Sequence, residues 1–124
     1  MALPHAQLLD VIGVRPLGAG LADAVSTSLI KTERLQLLHL VLPAHRDLPE
    51  HRVDNECTLH CLEGEVEVIT GTLTRRLGAG ELVVLPALVP HALRARSDCA
   101  VLATLLLQHG DAGDRGGEAV RQRT

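Results

Sequence analysis

Cys57-Thr-Leu-His60-Cys61-Leu-Glu-Gly64-Glu65-Val66-Glu67-Val68-Ile69-Thr70-Gly71-Thr72 is the stretch on which the reading of the whole chain turns. From Glu65 to Val68, glutamate and valine alternate. The valines share one face and the glutamates the other, which is the period of a half-buried strand. Alternation also predicts Cys57, Leu59 and Cys61 inside, with Thr58, His60 and Leu62 outside. Gly64 separates these two runs. Ile69-Thr70-Gly71-Thr72 predicts a tight hairpin in which Gly71 supplies a positive φ.

Outward from this stretch the same texture repeats. Short apolar runs cover 26–32, 35–42, 57–62, 65–70, 72–77, 81–85, 91–95 and 100–107. They are punctuated by Pro43, Pro49, Gly64, Gly71, Gly78, Gly80, Pro86 and Pro90. Strands at this spacing predict an all-β sandwich or barrel. Leu35–Leu42 is apolar on both faces except at Gln36 and His39, so this strand is expected to be covered on both sides. Before the strands, 4–14 carries Leu8, Leu9, Val11 and Ile12 and predicts one short amphipathic helix, with Gly18-Ala-Gly20 as a loop. The predicted organisation is an N-terminal arm with a short helix over 1–25, a β-barrel domain over 26–108 and a flexible tail over 109–124.

Composition narrows the function. The 124 residues are 46% hydrophobic and 22% charged, with a formal net charge of −3, the profile of one soluble domain. Phe, Trp and Tyr are all absent. That excludes aromatic stacking of nucleobases, aromatic cages for cations and tyrosine-based catalysis. Mild acidity without a basic run argues against a nucleic-acid partner. The longest apolar run, Ala100–Leu107, is broken by Thr104 and falls far short of the ~20 residues a membrane span needs. Three cysteines and no recognisable export signal predict reduced thiols in the cytoplasm. Cys57 and Cys61 lie about 13 Å apart along a strand, so they neither bridge nor share a metal.

The histidines fall into a pattern. His45, His51, Val53, Cys57 and Gly64 are followed, after fifteen intervening residues, by Gly80, Pro86, Leu88 and His91. This resembles the cupin superfamily, whose fold is a small jelly-roll β-barrel. His51 matches the first histidine of the family's first motif, and Gly64 its closing glycine. Gly80, Pro86 and His91 match the glycine, proline and histidine of the second. The resemblance covers about Leu35 to Leu107. Departures stand at His45 and Leu88 where the motifs have glycine, at Val53 for the second histidine, at Cys57 for the glutamate and at Ala95 for asparagine. Histidine tolerates the positive φ that the glycine position of His45 implies better than most side chains do.

The departures shape the chemistry. Valine cannot donate to a metal, so the family's cage of three histidines and a carboxylate cannot be rebuilt. His51, His91 and Cys57 remain a legitimate set for zinc, iron, nickel or manganese. The plainer reading of Cys57 as a small buried hydrophobe takes precedence, and no cofactor is expected. His39 is either a pocket-lining residue or a hydrogen-bonded structural histidine, and the ligand pocket is expected to hold His51, His91, Cys57 and His39. Val66, Val68, Leu82 and Val84 are expected to supply its walls. His60 falls on an outer face, where it is either simply exposed beside Thr58 or, as the resemblance implies, against a second subunit in a homodimer. Lys31, the only lysine, reads as an edge-strand charge pairing with Glu33 or solvated. The expected function is small-metabolite binding or sensing, with a carboxylate or phenolate ligand on His51 and His91. The alternative is a metal-dependent dioxygenase or isomerase using His51, Cys57 and His91, though no tyrosine is present for phenolic acid–base chemistry.

Overall fold

In a computed structural model, residues 5–107 are described; the tail expected over 109–124 lies outside them. A 3-10 helix at Gly18–Asp23 precedes nine strands. These are β1 (Thr27–Lys31), β2 (Leu35–Leu42), β3 (Asp47–His51), β4 (Cys57–Glu63), β5 (Glu65–Thr70), β6 (Thr74–Gly78), β7 (Leu82–Leu85), β8 (His91–Ala95) and β9 (Cys99–Leu106). They form two antiparallel sheets, one in the order β1-β2-β9-β4-β7 and the other β3-β8-β5-β6. The two inner faces pack against each other to make the core.

Eight of these strands match the runs read from the sequence. The ninth, β3, is one that Pro49 had hidden. Proline cannot donate to a sheet ladder and is confined to edges and bulges. Here both conditions hold: β3 is an edge strand, and its register with β8 shifts between Leu48 and His51.

The alternation of the central stretch is borne out. Cys57, Leu59 and Cys61 are buried in the core with Val66 and Val68, while Thr58, His60 and Leu62 point the other way. Gly64 is the single residue between β4 of the larger sheet and β5 of the smaller. Its φ is +78°, and a Cβ there would run into the carbonyl oxygen of Asp98 and lie 2.7 Å from the Cβ of Cys99. Only glycine fits this crossing.

Three local expectations need correction. The β5–β6 hairpin is present, but Gly71 has no positive φ. The turn is closed instead by Thr70, whose backbone N–H donates to the Leu73 carbonyl at 2.7 Å and whose hydroxyl accepts from the Leu73 N–H at 3.0 Å. The amphipathic helix expected over 4–14 is not formed among the described residues. Leu9 takes a left-handed φ of 75°, and Leu8, Leu9 and Val11 are exposed. So short a helix needs a packed face to survive, and this one has none. The helical turn falls instead on the Gly18–Asp23 segment that read as a loop. There the Leu17 and Gly18 N–H groups donate to the Glu63 carboxylate at 2.6 and 3.2 Å, tying the arm to the barrel.

Candidate functional site

A cavity of about 470 Å³ opens between the two sheets. From the larger sheet, Leu38, Leu40, Cys57, Leu59, Ala103 and Leu105 line it. From the smaller sheet come Leu48, Pro49, Glu50, His51, His91 and Leu93, with Val53 from the loop after β3. The volume lies within the usual range for a small-molecule site.

The bulge in β3 explains how His51 reaches this space. Leu48 opposes Leu93 and His51 opposes His91, so three steps on β3 match two on β8. In a regular strand, residues three apart face opposite sides. The extra residue lets Leu48 and His51 both face inward, which is how a bulge re-aims a side chain. His51 then sits at the mouth, exposed, with its ring centroid 4.3 Å from that of the buried His91 and tilted 59° to it. Each ring makes the same bond. Nδ1 of His51 donates to the Pro49 carbonyl, and Nδ1 of His91 to the Val89 carbonyl, both at 3.1 Å. Burial lowers the pKa of His91 below the ordinary imidazole value. The bond to Val89 opposes that shift, and the nearby His51 ring adds to it.

The two lost motif glycines leave a backbone record. His45 has φ 67° and Leu88 has φ 66°, so both keep the left-handed conformation that glycine adopts without strain. The Leu88 N–H donates to the Val53 carbonyl at 2.9 Å, which joins the loop before β8 to the loop after β3 at the cavity mouth.

The structure brings together His51, His91 and Cys57 on one cavity and leaves His39 out. Leu38 and Leu40 take the inward positions on β2, so His39 faces outward between Thr27 and Leu102. No hydrogen bond to its ring is seen among the described residues, so neither expectation for His39 holds. The predicted walls also change. Leu82 and Val84 point outward at 55% and 56% exposure, and Val66 and Val68 belong to the solid core beside the cavity. Leu48 and Glu50 were missed with β3 itself. The signal that could have found them was Pro49 flanked by Leu48 and Glu50, which suits an edge strand with a bulge. Lys31 is exposed on the edge strand β1.

A cupin-domain family model matches residues 38–106, more than half of the chain. The chain belongs to the cupin family. Among solved structures, this cupin is similar to a cupin superfamily protein from Desulfitobacterium hafniense, with 18% identity over 83% of this chain and 100% of that one, at a TM-score of 0.69. It is also similar to a conserved protein of unknown function from Streptococcus pyogenes, with 20% identity, 86% and 94% coverage and a TM-score of 0.65. An RmlC-like cupin from Desulfovibrio desulfuricans shows 24% identity, 82% and 94% coverage and a TM-score of 0.60. At these identities the likeness is one of fold. No curated protein matches the sequence.

The cupin fold often holds a metal, and the residues of this cavity do not fit one in the usual way. Val53 lines the cavity and offers no donor. Among the described residues no three His, Cys, Asp or Glu side chains come together as a metal-binding group. The three-donor set of His51, Cys57 and His91 is therefore not assembled. Burial pushes the Cys57 thiol above its ordinary pKa, which favours the protonated form. Cys61 is raised by burial as well, and Cys99 is pushed up to about 12, chiefly by burial. All three cysteines are free, as their spacing and positions predict. Among the described residues no helix is long and apolar enough to cross a membrane.

Proposed function

We propose that this cupin binds or senses a small metabolite in the cavity between its sheets, with His51 and His91 as the polar groups that read it. The observation that carries this is the meeting of two imidazoles at 4.3 Å at the edge of an otherwise aliphatic space. They arrive from residues forty apart in sequence through a bulge, a device common beside functional sites. A thermal-shift screen against a metabolite library tests the reading. A stabilising compound whose effect disappears in both His51→Ala and His91→Ala supports it, and unchanged shifts in both variants move the site elsewhere.

The metal-dependent dioxygenase or isomerase lacks its third donor, and nothing in the cavity favours it over simple binding. We expect purified protein to carry less than about one-tenth of a metal ion per chain. Stoichiometric zinc, iron, nickel or manganese in elemental analysis would restore the enzyme. Two further parts of the proposal concern the setting. The cytoplasm is supported by three unpaired, buried thiols. A homodimer through the outer face of the five-stranded sheet, with His60 in the contact, is supported by the exposed Leu82 and Val84 and the half-buried Leu37 and Leu102 on that face, since exposed apolar surface marks association sites. Light scattering at 13.3 kDa, the mass of one chain, sinks the dimer.

A further inference from the structure

The hydrogen bonds of His51 and His91 fix more than the orientation of the rings. A carbonyl oxygen can only accept, so the bonds to Pro49 and Val89 require the proton of each neutral ring to sit on Nδ1. A neutral imidazole has one N–H, and Nε2 of each ring is therefore a bare lone pair. His91 is only 2% exposed, and no donor among the described residues reaches its Nε2. Buried polar atoms are normally partnered, so this acceptor calls for a donor that enters through the cavity. The charged side chain on the lining, Glu50, is an acceptor when ionised. The buried Cys57 thiol is at most a weak donor. The aliphatic remainder offers nothing polar.

From this geometry we infer that the cavity takes an aliphatic molecule bearing a hydroxyl, which donates its one proton to the Nε2 lone pair of the buried His91, and that it rejects the carboxylate of the same chain length. The inference rests on the reading of the cavity as a ligand site and reverses the anionic ligand that the two histidines alone suggest. An anion would need a protonated ring. Burial of His91 and the adjacent His51 ring both oppose that protonation. It would also meet the Glu50 carboxylate at the rim.

The test compares n-hexanol with hexanoate by titration calorimetry on the full chain at about pH 8, where free imidazole is neutral. Hexanol is expected to bind at least about tenfold more tightly than hexanoate, since a desolvated charge facing acceptors alone is strongly disfavoured. His91→Leu keeps the apolar volume and is expected to weaken hexanol roughly fivefold, the scale of one hydrogen bond. Proton–nitrogen correlation spectra of the rings supply a readout independent of ligand, with the Nδ1–H tautomer expected for both. Equal or tighter binding of hexanoate, or an Nε2–H tautomer at His91, overturns the inference and leaves the cavity reading standing. Failure of both probes to bind removes the cavity reading and the inference with it.

Discussion

Across the outer face of the four-stranded sheet runs a row of alternating charge, Asp47, Arg94, Glu67 and Arg76. Arg94 lies 3.1 Å from Asp47, and Glu67 is 3.3 Å from Arg96 and 4.0 Å from Arg76. The matching row across the five-stranded sheet reads Thr27, His39, Leu102, His60 and Leu82, and beside it run Leu37, Thr104, Thr58 and Val84. Neither of these rows carries a carboxylate, a lysine or an arginine. Both sheets bury an apolar inner face, so the difference lies entirely outside. The charged face is finished as a water-facing surface. The other is a sheet face suited to being covered on both sides, and this contrast supports the proposed dimer.

The largest expected effect comes from breaking the joint between the two sheets. Gly64→Ala forces a Cβ into Asp98 and Cys99 at a left-handed φ. It should cost about 3 kcal/mol or more, read as a lower urea midpoint. Next, Leu82→Glu places a charge on the apolar face at a site already 55% exposed, so the fold should tolerate it. The proposed dimer should then fall to the 13.3 kDa monomer in light scattering, whereas Arg94→Ala on the opposite sheet should leave the mass unchanged.

A smaller effect is a dependence on pH. The folded pKa of His91 is lowered, so on acidification the unfolded chain takes up that proton first. This contribution to stability is complete above the ordinary value of 6.5 and is lost as pH falls from there through the lowered folded value. Denaturant midpoints should therefore drop more steeply on acidification in the native sequence than in His91→Leu. The smallest effect belongs to the charged row. Arg94 holds the Asp47 carboxyl below the usual carboxylate range, but both groups are open to solvent. Asp47→Ala should leave the thermal midpoint within the scatter of repeat scans, with any difference erased by salt.

Relief of strain sharpens the picture of the cavity mouth. Leu88→Gly should remove a left-handed leucine from an exposed loop position and raise stability by roughly 1 kcal/mol, measured by urea unfolding. No gain would mean that the Leu88 side chain contributes packing that offsets its backbone strain.

Legibility in the sequence followed the range of the interaction. Val66 and Val68 were assignable to the inward face because side chains on a strand alternate with the smallest possible period, and the four residues Glu65–Val68 are enough to show it. His45 was readable as left-handed only through the resemblance to the cupin motif, in which it stands at a glycine position, and its φ of 67° agrees. The edge strand over Asp47–His51 was not readable, since proline is punctuation in most contexts and acceptable only where a neighbour is missing or a bulge intervenes. The misplacement of Leu82 and Val84 has a related cause. In Leu82-Val-Val-Leu85 every position is apolar, so no alternation reveals which pair faces inward, and the pairing with β4 decides it.

By itself the sequence determined the nine-strand texture bar one member, the cupin pattern, the inward set of Cys57, Leu59 and Cys61, and the glycine at position 64. Tertiary structure alone decided that His51 and His91 meet, that Leu48 and Glu50 join them, and that His39 faces away. The reason is the distance over which each is set. Alternation and backbone strain are properties of a few consecutive residues, whereas a bulge opposite a partner strand, and the cavity it opens, exist only once strands far apart in the chain have paired.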